Sequence, residues 1–173
     1  MKRYLLSLAA WTLVLCLLPL PALAAPLEAG VPLELTSPSA MLLEAGTGTV
    51  IFEKNADERR QVASVTKLMT LLLCLEQLQA GVIHLDDPIT VSREAAAQIG
   101  SQALLDAGAV YSLETLLHAA IIASANDAAC ALAEHMAGSE NAFAEQMNQR
   151  AAELGMENTF YTNATGLPDD RQY

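Results

Sequence analysis

With 173 residues, 53% of them hydrophobic and 17% charged, the chain has the apolar content of a globular protein and is long enough for one domain. That balance excludes a disordered chain. A formal net charge of −11 disfavours nucleic acid as a partner, because phosphate binding needs Lys and Arg to displace counterions.

Residues 1–24 read as a secretory signal peptide. Met1-Lys2-Arg3 gives a positive start, residues 4–18 are apolar apart from Ser7 and Thr12, and Ala22-Leu23-Ala24 is a small-x-small cleavage site. A membrane anchor fits less well: the apolar run is shorter than the roughly 20 residues a bilayer core requires, and Pro19 and Pro21 follow it. Cys16 lies inside this run after a bulky Leu15, which argues against lipidation. Removal of the segment takes away Lys2 and Arg3 and leaves a more acidic chain.

Residues 25–38, with Pro26, Pro32 and Pro38, read as an extended N-terminal arm. Residues 39–44 and 49–54 read as two antiparallel strands joined by Ala45-Gly46-Thr47-Gly48. A charged loop follows, and residues 63–79 have the Leu/Met/Thr pattern of a largely buried helix stopped by Gly81. Leu85-Asp86-Asp87-Pro88 is a turn, residues 89–91 a short strand, and Ser92 the N-cap of a helical turn. Ser112 is a second N-cap, for a helix over 113–123 that is apolar nearly all round and so predicted to be buried. Residues 127–136 form another helix stopped by Gly138, and Ser139 caps a last one that ends at Gly155. Residues 156–173 read as loop, and the formal glycosylation acceptor Asn163-Ala164-Thr165 reads as a turn.

Cys74 and Cys130 lie in Ala/Leu segments that suggest buried thiols, with a disulfide as the alternative in an exported protein. His84, His118 and His135 are scattered, and no Cys/His cluster has zinc spacing. No metal and no cofactor are expected.

Ser64-Val65-Thr66-Lys67 holds the chemistry. A hydroxyl and an amine three residues apart share one helical face, where a lysine made neutral by desolvation can take the serine proton. An N-cap serine followed by an exposed lysine would give the same tetrapeptide, but Leu68, Met69 and Leu71 to Leu73 make the setting apolar. Ser124-Ala125-Asn126 falls where the apolar helix meets the next, and buried polar side chains there need partners that Lys67 and a substrate could supply. The second Ser-x-Asn, at Ser139 and Asn141, is explained by capping alone.

The pair Ser64-x-x-Lys67 and Ser124-x-Asn126 resembles the first two motifs of the penicillin-binding protein and serine β-lactamase superfamily. The flanks Leu43-Glu44-Ala45-Gly46-Thr47-Gly48, Glu53-Lys54-Asn55-Ala56, Ala63 to Thr70 and Asn163-Ala164-Thr165-Gly166-Leu167-Pro168 are similar to the low-molecular-mass D-alanyl-D-alanine carboxypeptidases, the penicillin-binding protein 5-like serine peptidases, over roughly residues 39–173. The resemblance implies a mixed α/β fold, with a helical subdomain packed on an antiparallel sheet and Ser64 at the start of a buried helix. It implies removal of the terminal D-alanine from peptidoglycan stem peptides through a Ser64 acyl-enzyme. Lys67 would be the base, Ser124 a proton relay to the leaving amine and Asn126 a holder of Lys67 and substrate, with β-lactams as covalent inhibitors. The expected location is extracytoplasmic, in the periplasm or on the wall side of a bacterial membrane, with membrane association through a C-terminal segment.

The superfamily's third motif, Lys-Thr-Gly, does not occur, and Lys67 is the last lysine. The expectation is therefore a C-terminally truncated domain over 39–173, lacking sheet strands and inactive alone. Two rivals stand beside this reading. A β-lactamase of class A type needs a further glutamate, and Glu145, Glu153 and Glu157 lie in different settings. A non-catalytic fragment or wall-binding module would have no use for an intact Ser, Lys and Asn set.

Overall fold

The computed structural model describes residues 34–173. The signal peptide expected over 1–24, and the extended arm as far as residue 33, lie outside the described residues. The chain divides into two compact units, Met1–Ala56 and Asp57–Tyr173.

In the first unit, Ala40–Leu43 (β1) and Val50–Lys54 (β2) form the predicted antiparallel hairpin. Ala40 faces Lys54, Met41 faces Glu53, Leu42 faces Phe52 and, past a bulge, Leu43 faces Val50. Both strands are shorter than the predicted runs, because Glu44 and Thr49 close the turn. The Glu44 N–H donates to the Thr49 carbonyl at 2.9 Å, while its carboxylate accepts from Gly46 N–H at 2.9 Å and from Thr47 N–H and hydroxyl at 2.6 Å each. The Thr47 hydroxyl, with those two backbone donors, holds the Glu44 carboxyl below the usual range. At the other end of the hairpin, Lys54 Nζ donates to the carbonyls of Leu35 at 2.7 Å and Ser37 at 2.8 Å.

The second unit is mostly helical. A 3-10 turn, Ala63–Thr66, runs into Lys67–Gln79 (α1). Pro88–Thr90 (β3), Arg93–Ala96 (α2), Val110–Ser112 (β4), Leu113–Ile122 (α3), Asn126–Ala137 (α4) and Glu140–Glu153 (α5) follow. β3 and β4 pair antiparallel through Pro88 with Ser112, Ile89 with Tyr111 and Thr90 with Val110. Only β3 and not β4 was foreseen in the sequence. The three predicted serine caps form: Ser92 Oγ accepts from Ala95 N–H at 2.8 Å, Ser112 Oγ from Thr115 N–H at 3.2 Å and Ser139 Oγ from Ala142 N–H at 3.2 Å, each satisfying a first-turn donor. Gly138, at φ +81°, ends α4 in the left-handed region.

The centre of this unit is α4, which packs against α1, α2, α3, α5 and β3. Its residues 128–133, Ala-Ala-Cys-Ala-Leu-Ala, are all buried. Small side chains let five neighbours approach one helix at once. Leu113, Leu116 and Leu132 belong to one core cluster, with Val91 and Ile89; Phe143, Met147, Leu73 and Ala164 belong to the other. The apolar α3 is buried on one face only: Leu113, Leu116, Leu117 and Ala120 point inward, while Ile122 is 81% exposed. The predicted burial of this helix thus holds for one face and not for the other. Among the described residues no helix is long and apolar enough to cross a membrane.

Candidate active site

Ser64 lies in the 3-10 turn and Lys67 opens α1, so the predicted continuous helix over 63–79 begins with a tighter turn. The three-residue spacing still brings the side chains together, with Lys67 Nζ 3.3 Å from Ser64 Oγ. Ser64 is exposed on the cleft side, whereas Lys67 is 3% exposed. Burial lowers the Lys67 pKa from its ordinary value, because an ammonium out of water loses more solvation than a neutral amine does.

Two further partners fix the amine. Asn126 Oδ1 lies 2.6 Å and the Thr165 carbonyl 2.8 Å from Nζ. An ammonium has three hydrogens and a neutral amine two. With Asn126 and Thr165 taking two of them, the remaining tetrahedral position faces Ser64 Oγ: a hydrogen when Lys67 is charged, a lone pair when it is neutral.

Asn126 is itself clamped. It opens α4, its N–H donates to the Ser101 carbonyl at 2.7 Å, and its Nδ2 donates to the Ile99 carbonyl at 2.6 Å. A Cβ on Gly100, at φ +83°, would come within 3.1 Å of that Nδ2, so a glycine fits there. The next residue, Asp127, is fully buried, and its carboxylate accepts from the N–H groups of Ala103, Leu105 and Ala128 at 2.9 to 3.0 Å. It ties the 99–105 loop to the start of α4. The sequence reading gave Asp127 no such part; an acidic residue in a helix's first turn was the available signal.

Ser124 stands apart from the other three candidates. It occupies the break before α4 at φ +54° and is half-buried, but its hydroxyl bonds neither Ser64 nor Lys67, whose amine is already shared among Ser64, Asn126 and Thr165.

The 163–168 turn completes the site. Asn163 Oδ1 accepts from Gly166 N–H at 2.7 Å, Thr165 hydroxyl at 3.0 Å and Thr165 N–H at 3.2 Å, and its Nδ2 donates to the Leu167 carbonyl at 3.0 Å. Thr70 Oγ1 donates to the Ala164 carbonyl at 2.7 Å, and Glu140 Oε1 accepts the Ala164 N–H at 3.0 Å, fastening the turn to α1 and α5. Burial raises the Glu140 pKa, opposed by that N–H. The sequence showed a turn here but not that its backbone reaches Lys67. An asparagine three residues before a glycine was the local sign of a side-chain-held turn.

These parts line a cleft of about 360 Å³, with Ser64, Gly100, Asn126, Gly166 and Leu167 on its walls. Among the described residues no group of three or more His, Cys, Asp or Glu is placed to hold a metal ion. The fold and cleft define a mixed α/β protein that presents an exposed serine hydroxyl beside a buried lysine.

Comparison with known proteins places it. The D-alanyl-D-alanine carboxypeptidase family, peptidase family S11, matches residues 26–173, and the chain belongs to that family. It is 44% identical to the D-alanyl-D-alanine carboxypeptidase DacF of Bacillus subtilis over 78% of this chain and 35% of that protein. It is 37% identical to a D-alanyl-D-alanine endopeptidase of Pseudomonas aeruginosa over 96% of this chain and 54% of that one. The crystal structure of the D-alanyl-D-alanine carboxypeptidase DacD from Francisella tularensis superposes with a TM-score of 0.79 at 39% identity, covering 83% of this chain and 35% of that one. The chain thus spans between about a third and a half of the length of these relatives.

Proposed function

We propose that the protein carrying this chain is a serine-type D-alanyl-D-alanine carboxypeptidase acting on peptidoglycan stem peptides on the wall side of a bacterial membrane. The observation that supports this reading is the buried Lys67, with two hydrogens directed to Asn126 and Thr165 and its third position facing Ser64 Oγ at 3.3 Å. With burial favouring the neutral amine, the lone pair accepts the hydroxyl proton as Ser64 Oγ attacks the carbonyl carbon between the two terminal D-alanines. The peptide C–N bond then breaks, and the amine of D-alanine departs with the proton that Lys67 took from Ser64, relayed through Ser124 once bound substrate bridges the gap between them. Water adds to the Ser64 ester and releases the shortened peptide and the free hydroxyl. Asn126 holds Lys67 and offers its amide to the substrate backbone. A β-lactam, whose strained amide takes the place of the scissile bond, acylates Ser64 in the same way.

The test is mass spectrometry of the protein, as its cell makes it, with a labelled penicillin, alongside assays of D-alanine release. Ser64 gains the adduct, Ser64→Ala gains none, and Lys67→Ala slows acylation by about 10²- to 10⁴-fold. The wild-type rate rises with pH as Lys67 deprotonates, and because its pKa is depressed the midpoint of the rise lies below the ordinary lysine value of 10.5. An adduct on another residue overturns the reading. Rapid penicillin turnover without D-alanine release would show a β-lactamase, and cleavage of cross-linked peptides alone an endopeptidase.

A further inference from the structure

We propose that Asn163 is a positioning residue for acyl transfer, because its side chain holds the Thr165 carbonyl against Lys67 and Gly166 against the residue before Ser64. The inference rests on the acyl-transfer reading above.

Lys67 Nζ can offer a lone pair to Ser64 only if its hydrogens are directed elsewhere. One acceptor, Asn126, leaves the amine free to rotate about its terminal bond; a second, the Thr165 carbonyl at 2.8 Å, fixes that rotation. The carbonyl belongs to a turn, and the fastening inside that turn is the Asn163 amide. Its oxygen takes three hydrogens, from Thr165 N–H, Thr165 hydroxyl and Gly166 N–H, and its nitrogen closes on the Leu167 carbonyl. The same turn reaches the other partner. Gly166, at φ +85°, lies so near the Ala63 carbonyl that a Cβ would stand 1.9 Å from it. Thr70 and Glu140 fasten the turn to α1 and α5, and the Asn163 amide sets its internal shape, and with it the placing of the two reacting side chains, without touching either.

Orientation of this kind changes the chemical step and leaves binding alone. In stopped-flow acylation by a labelled penicillin, Asn163→Ala lowers the acylation rate constant about 10- to 100-fold, while the dissociation constant for the non-covalent complex stays within about twofold. Asn163→Asp retains the oxygen that receives the three hydrogens but sets a second acceptor against the Leu167 carbonyl in place of the donor, and recovers the rate in part. Its added charge favours the ammonium, so the recovery appears at higher pH than in the wild type. Gln172→Ala serves as the control. Gln172 Oε1 accepts from Thr162 N–H at 3.1 Å and Asn163 N–H at 3.4 Å, and its Nε2 donates to the Leu167 carbonyl at 3.3 Å, so it holds the ends of the turn without touching Thr165 or Gly166. That variant melts at a lower temperature and keeps the wild-type rate constant.

A wild-type rate in Asn163→Ala overturns the proposal, as does a loss in Gln172→Ala equal to that in Asn163→Ala, which would make the effect one of general loop stability. Should Asn163→Ala not fold, the Asp variant decides alone, and an unshifted pH profile overturns the proposal. An unreactive wild-type Ser64 would sink the acyl-transfer reading instead. In that event a crystal structure of Asn163→Ala still decides the geometry: a Thr165 carbonyl that remains bonded to Lys67 Nζ removes the role assigned to Asn163.

Discussion

Lys67 loses solvation by being buried and regains part of it from Asn126 Oδ1 and the Thr165 carbonyl. Its folded pKa lies below its unfolded one, so between the two values the unfolded chain binds more protons and stability rises with pH. Beside the nucleophile, Gly166 leaves no room for a side chain. Gly166 faces the Ala63 carbonyl, and a methyl group there would overlap it in a conformation that L side chains rarely adopt. Gly166→Ala is expected to cost about 1 kcal/mol from the positive φ alone, with the collision adding to it, and to slow β-lactam acylation by moving Ser64 relative to Lys67. Urea unfolding together with the acylation rate checks this, and an alanine variant with both properties unchanged would refute the contact. At this scale the sequence showed the side chains and not the carbonyls. Ser64, Lys67 and Asn126 form a recognisable set because their chemistry is rare at that spacing. Thr165 acts through a group that every residue carries, so no residue type points to it.

Among the elements, helix existence follows from caps and apolar spacing, and burial does not. The Leu- and Ile-rich α3 gave the stronger hydrophobic signal, yet half its surface meets solvent, while the alanine-rich α4 takes the centre. Size explains the inversion. A helix with neighbours on every side needs short side chains, and a helix with one covered face can carry long ones. Ala131→Leu on α4 is accordingly expected to destabilise the protein by about 1 to 3 kcal/mol through overpacking, read as a lower denaturation midpoint. An unchanged midpoint would show that the core has room there. β4 escaped notice for another reason: three residues, Val110–Ser112, are too few to show alternation, and pairing with β3 is what makes them a strand. Glu44 and Thr49 likewise read as strand residues until the turn claims them.

For the molecule as a whole, the two cysteines remaining after the expected signal peptide bear on its redox behaviour. Cys74 and Cys130 are free and buried. Burial pushes the Cys74 thiol up to about 11, and burial followed by the nearby Glu140 and Glu134 charges raises Cys130 further. The disulfide left open by the sequence is absent. Since the thiolate is the reactive form, a thiol reagent at neutral pH is expected to leave both untouched in the native protein and to modify both in denaturant. Peptide mapping reads the result, and labelling of either under native conditions would contradict the buried, protonated assignment. The fold class and the family were legible because motifs spread from residue 43 to residue 168 agree with one another. The two-unit division was not, since the charged loop that carries the passage from Ala56 to Asp57 reads as an ordinary connection.

The amine of Lys67 spans 59 positions to reach Asn126 and 98 to reach Thr165. Closing loops of that size carries an entropic cost that burial must offset, so Lys67, only three residues from Ser64, gains its two orienting acceptors as the second unit packs. An unfolded chain is therefore expected to present a hydroxyl inert towards a β-lactam until the far end of the second unit has docked.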